Sequence, residues 1–253
     1  MIKFFRKIRQ NLLMENKTGK YFKYAIGEII LVVIGILIAL SINSWNSDRL
    51  QNAKNRQLLF KMSKELDQHS ERMKLSLDSA RAFKFRLIYI DSVSNILDKG
   101  IQPNDIDYLV KAPRYYTITL NLNTFIFKEL INTGSLYALG TDSLVANIQN
   151  YYQRCEKEMF YNLEIGKTVL DLQKPYFNGF FDFAYWHNKN PEKAVALHPW
   201  IFDPQSDHYR SFRNYISMFK SHNRIMVRKL ELLIKYCDEL KKAINNEIGQ
   251  LSN

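Results

Sequence analysis

Residues 25–45 read Ala25-IGEIILVVIGILIALSINS-Trp45, and every later reading depends on them. Ile29 to Leu40 contains no polar side chain. At about 1.5 Å per residue the stretch reaches roughly 31 Å, close to the hydrocarbon thickness of a bilayer. A helix apolar on every side has no home on the surface of a water-soluble fold. The stretch is therefore read as one transmembrane helix. This divides the chain into a basic arm (1–23), a membrane helix (24–45) and an outer domain (46–253).

Charge sets the orientation. The net charge is +11. Lys3, Arg6, Lys7, Arg9, Lys17, Lys20 and Lys23 stand against Glu15 alone in the first 23 residues, so +6 of it lies there. The positive-inside rule places that arm in the cytoplasm and the outer domain beyond the cytoplasmic membrane, in the periplasm of a Gram-negative cell. The basic pI is thus a topology signal. No basic patch interleaved with aromatics points to nucleic acid. A cleaved signal peptide, cut near Ala39 and Ser41, is the rival reading. Its charged region would be unusually long and its apolar segment is long enough to span. Ile2, Phe5, Ile8 and Leu12 share one face and predict a short interfacial helix on the inner leaflet. Within the span, Glu28, Gly35 and Ala39 fall on one stripe. Gly35-xxx-Ala39 is a small-xxx-small pattern that permits close helix contact, either in a homodimer or with a protein partner. Glu28 snorkelling toward the headgroups is the plainer alternative.

Residues 1–46, MIKFFRKIRQNLLMENKTGKYFKYAIGEIILVVIGILIALSINSWN, resemble the start of a family of uncharacterised single-pass membrane proteins of Gram-negative bacteria that carry a domain of unknown function. A weaker match is Phe127-KELINTGS-Leu136 followed by Asn150-Tyr151-Tyr152. In the family a similar Glu-Leu…Gly-x-Leu segment precedes a helix ending in Tyr-Tyr. The resemblance implies a membrane anchor and a helical outer domain. It brings no catalytic residues.

The outer domain reads as all-α. The 6 prolines all fall between Pro103 and Pro204, leaving long Pro-free tracts at both ends. Leu59, Met62, Leu66, Met73, Leu77, Ala80, Phe83, Leu87, Ile90 and Leu97 recur at helical spacing, with His69 in the gap. They predict that the membrane helix continues unbroken to Gly100. Residues 115–122 have strand character. With no second strand to pair, they are expected to lie as an extended loop across the helices. Thr124 is expected to cap a short helix stopped at Gly134. The next helix is expected to run from Asp142 to Lys174 and end at Pro175. Asp207 is expected to cap a last helix to Gly249, whose seam from Phe212 to Ile248 runs back antiparallel to the first. The expectation is an elongated extracytoplasmic helical bundle, continuous with the membrane helix.

Chemistry is sparse. The aromatic stretch 175–207 either closes one end of the bundle or offers a binding surface, of which Phe180, Phe181, Tyr185 and Trp186 are the candidates. His187, His198, Asp203, Asp207 and His208 match no metal-ligand spacing. His69 and His222 lie on opposing seams. They could face each other at one height and sense pH, or be two unconnected packed histidines. Cys155 and Cys237 lie on buried faces and are either a disulfide or two buried thiols. No catalytic, cofactor-binding or metal-binding residue is assigned. The expected function is that of a non-catalytic envelope protein, anchored in the lipid bilayer, whose bundle binds or scaffolds a partner. The alternative is a sensor subunit that relays a signal through a partner protein.

Overall fold

The computed structural model describes residues 18–79, 83–111 and 118–251. The expected interfacial helix and Ala80 lie outside them. All regular structure among these residues is helical. The main elements are α1 (Thr18–Asp78), α2 (Phe83–Lys99), α3 (Ile106–Lys111), α4 (Phe125–Asn132), α5 (Asp142–Lys189), α6 (Pro191–Leu197) and α7 (Asp207–Gln250).

The chain divides into two units, Met1–Arg56 and Gln57–Asn253. In the first, Ile29 to Leu40 present their apolar side chains outward; Leu31 is 64% exposed and Leu37 57%. Helical hydrogen bonding satisfies the backbone within the segment. This helix is long and apolar enough to cross a membrane, a test that a signal sequence also passes.

In the second unit α1 changes character. Leu59, Met62, Leu66, Met73 and Leu77 are buried at 3–4 residue spacing. They join a first core with Leu144, Ile148 and Tyr152 of α5 and Met226, Leu233 and Ile244 of α7. A second core gathers Ile90, Val93 and Leu97 of α2, Val169 and Phe183 of α5, and Tyr209 to Phe219 of α7. Helix α7 runs antiparallel along both α1 and α2. Asn245 meets Ser63, Cys237 meets Leu66, Lys220 meets Asp91 and Tyr209 meets Leu97. It runs antiparallel to α5 too, from Phe212 beside Phe180 to Tyr236 beside Arg154.

Four expectations need correction. The first helix ends at Asp78, with a bend at Ser79, and α2 begins at Phe83. No Gly or Pro marks the break. The buried residues on either side of it, Leu77 and Phe83, both belong to the first core, and the second begins only at Ile90. Helix α5 does not stop at Pro175 but carries it internally to Lys189. A proline inside a helix loses one hydrogen bond and crowds the preceding turn. Phe177, Phe180 and Phe183, on the far side of Pro175, offset that cost by packing against or within the second core. Ser206 rather than Asp207 caps α7, accepting from the Tyr209 amide at 3.2 Å. Thr124 stands at the N-cap of α4 but gives no side-chain bond. Thr141 caps α5, accepting from the Leu144 amide at 3.3 Å.

Residues 118–124 form no regular element, and Leu120 and Leu122 are buried. Their amides find α5 side chains in place of a partner strand. Leu120 donates to Asn162 Oδ1 at 2.7 Å and Leu122 to Met159 Sδ at 3.1 Å. These two buried amides are therefore satisfied without a sheet.

Pro175 is exposed. Replacing it with alanine restores a helical hydrogen bond but also loosens the unfolded chain. Pro175→Ala is expected to raise unfolding stability by about 2 kcal/mol, as read by chemical denaturation monitored by circular dichroism.

Candidate functional site

The polar groups of the first core converge on a short run of α1. Glu65 and His69 are one helical turn apart, and they are 4% and 1% exposed. Both interrupt the apolar seam on the side that faces α4 and α5.

Glu65 is satisfied from two directions. Its Oε1 accepts from the Tyr152 hydroxyl at 2.7 Å and its Oε2 from the Ile126 amide at 3.0 Å. Ile126 lies in the first turn of α4, where amides have no helical partner and negative charge is favoured. Glu65 thus does the work that Thr124 does not. A carboxylate this deep is tolerable because charge-assisted bonds replace its lost hydration. The Tyr152 ring stacks on Phe127 with centroids 4.3 Å apart and 4° between planes.

His69 ties the connector to α5. Its Nε2 meets the Asn123 carbonyl, which can only accept, so Nε2 carries the proton. Its Nδ1 then accepts from the Tyr151 hydroxyl at 3.0 Å. Burial pulls the imidazole pKa below its usual value, partly offset by the Asn123 bond and the Glu65 charge. The ring is held neutral and its tautomer is fixed. His69 also lines an open cleft of about 640 Å³ with Gln68, Glu71, Arg72, Arg86 and Thr119.

The network ends at the cysteines. Cys155 and Cys237 are free and buried, not bonded to each other. Both engage the Tyr151 hydroxyl, and the Cys237 thiol donates to the Leu66 carbonyl at 3.3 Å. Burial pushes the Cys155 thiol up to about 12, and also raises Cys237 and, strongly, the Tyr151 phenol. A thiol held protonated is a poor nucleophile.

Of the two readings of His69 and His222, a facing pair or two unconnected packed histidines, the second holds. The structure gives His69 the neighbours Tyr151 and Tyr152, and His222 the neighbours Phe83 and Tyr161. The expected aromatic surface is largely occupied. Phe180, Phe181 and Trp186 are half-buried and Tyr185 is 52% exposed. The Lys189 ammonium lies 4.3 Å from the Tyr185 ring and that of Lys193 3.4 Å from the Trp186 ring. His187 bonds Asp107 and His198 bonds Asp182, each at 2.8 Å, while Asp207 pairs with Arg210. The run of histidines and aspartates is thereby dispersed. Among the described residues no group of three or more His, Cys, Asp and Glu could hold a metal. Glu28, Gly35 and Ala39 lie on α1, spaced seven and four residues apart on one face. The role of Glu65 was missed by sequence reading. Its signal was a carboxylate beside an apolar seam, four residues before a histidine on the same seam.

The chain belongs to DUF6090, a family of unknown function. The family profile matches residues 28–183. No curated protein and no solved structure matches the chain. The part shared with DUF6090 runs from the apolar section of α1 to Phe183. It therefore holds Glu65, His69, Asn123, Ile126, Tyr151, Tyr152 and Cys155. Cys237, on α7, lies outside it.

Tyr152→Phe removes one of two donors to a buried carboxylate and keeps the Phe127 stack. It is expected to cost about 1.5–3 kcal/mol in denaturant titrations of the full chain. Alkylation of the folded protein at pH 8 is expected to be slow at both cysteines. Unfolding without reductant is expected to release two reactive thiols, read as two added labels by mass spectrometry.

Proposed function

We propose that this DUF6090 chain is a non-catalytic module tethered to the cytoplasmic membrane, with residues 1–23 inside and the bundle in the periplasm, where it binds or scaffolds a protein partner. One observation carries the reading. A single helix, Thr18–Asp78, exposes an apolar surface on all sides from Ile29 to Leu40 and then, without a break, buries a one-sided seam from Leu58 onward. A cleaved leader has no need of helical continuity with the domain it exports. An anchor that carries a bundle does. The excess of Lys and Arg before Tyr24 supports the inward N-terminus. Exposed Phe160, Leu163 and Tyr185 on α5 support a surface that meets another protein.

Membranes from expressing cells, washed in alkaline carbonate, are expected to retain the full-length chain. Protease added outside spheroplasts is expected to remove the bundle and leave a short membrane-embedded N-terminal fragment. Extraction by carbonate, or a bundle protected from external protease, would overturn the reading. A photo-crosslinking residue at Tyr185 is expected to capture a protein partner or a second copy.

A further inference from the structure

His222 lies on α7 between Phe219, which belongs to the second core, and Met226, which belongs to the first. It is 1% exposed, and neither ring nitrogen has a hydrogen-bond partner. It is packed as though it were an aromatic hydrocarbon. Phe83 meets it edge-on at 6.1 Å and 82°, and the Tyr161 ring centroid is 6.4 Å away. Two buried asparagines adjoin it in sequence, Asn223 beside His222 on α7 and Asn162 beside Tyr161 on α5, and Asn162 Nδ2 and Asn223 Oδ1 have no partner either. Phe83 opens α2, so three helices meet at this ring.

The charged and titratable groups around it are few. From α7 comes Lys229, whose ammonium stands 3.6 Å from the centre of the Tyr161 ring and pairs with Glu158 of α5. From α5 come Glu158 and the Tyr161 phenol. From the start of α2 comes Lys84, bound to Asp78 and Glu231. Glu158, Asp78 and Glu231 each already serve a lysine. None is free to receive an imidazolium.

We propose that His222 is an acid-operated latch at the junction of the two cores. As the neutral ring it closes the junction between Phe83 and Tyr161. When protonated it presents two buried donors without acceptors, beside a lysine, and the start of α2 must part from α5 and α7 to hydrate it. Burial, with Lys229 adding to it, lowers the pKa of this imidazole to about 4. The folded value is below the unfolded one of about 6.5, so the stability His222 contributes is present above pH 6.5 and is lost as pH falls toward 4. Within that window each pH unit shifts the balance of closed to open by up to about tenfold. The latch operates on whichever side of a membrane the bundle lies.

The test is amide hydrogen exchange of the full-length chain in detergent, corrected for intrinsic rates, at pH 7 and pH 4.5. Protection of residues 83–90 and 216–226 is expected to fall by roughly ten- to a hundredfold in acid. In His222→Phe that acid-dependent loss is expected to vanish. Should this variant fail to fold, His222→Leu is read in the same way. Acid loss that persists unchanged without the imidazole would assign it to His69 or to carboxylates and overturn the proposal. So would protection in the natural chain that does not depend on pH.

Discussion

A carboxylate removed from water must be met by donors that do not move, and Glu65 imposes that condition on everything near it. Its two oxygens accept from groups 26 residues apart in sequence, Ile126 and Tyr152. Meeting both at once fixes the start of α4 and the third turn of α5 against α1. The Phe127–Tyr152 stack then fills the space beside the carboxylate. Neutralising the carboxylate would weaken both bonds, and removing either donor would leave the charge underpaired. Such a group makes a poor source of net stability and a strict source of geometry.

His69 extends the same logic by one turn. Its two nitrogens hold the connector at Asn123 and α5 at Tyr151. Among the described residues the connector has no strand to pair with, so side chains accept its amides and donate to its carbonyls. Asn162, Met159 and His69 supply these contacts. Of the segment with strand character, Leu120 and Leu122 are therefore held by side chains of α5 in place of a partner strand, and residues 115–117 lie outside the described residues.

The helices were legible because a seam at 3–4 spacing has one physical meaning, and the seams of α1, α2 and α7 are long. The apolar stretch was legible for the same reason in reverse, since it has no polar side to turn outward. Three features were not. The break after Asp78 falls within the first core, between Leu77 and Phe83, and no Gly or Pro marks it. The passage through Pro175 depends on aromatic packing beyond it, which outweighs a local penalty. The Glu65 network joins residues from α1, α4 and α5, and spacing along the chain does not reveal which donors will meet a given carboxylate. Local chemistry marks the ends of elements well, as at Thr141, and marks tertiary bends poorly.

Long seams create a problem that buried polar groups solve. The face of α7 repeats apolar residues so regularly that sliding it seven residues along α1, α2 and α5 would still oppose apolar to apolar. Such a slide displaces α7 by about 10 Å. It would carry Cys237 from the Leu66 carbonyl, Lys229 from Glu158, Tyr209 from the Leu97 carbonyl and Asn245 from Ser63. Each loss strands a buried or half-buried polar group, at about 1–3 kcal/mol apiece. The apolar seams therefore select the class of fold, and a handful of polar contacts selects one register within it. His222 differs from these groups in kind. It is polar, buried and without a partner, so it adds nothing to the choice of register while the ring is neutral. What it contributes is a condition on proton activity, because only the uncharged ring is compatible with the register that the other contacts enforce.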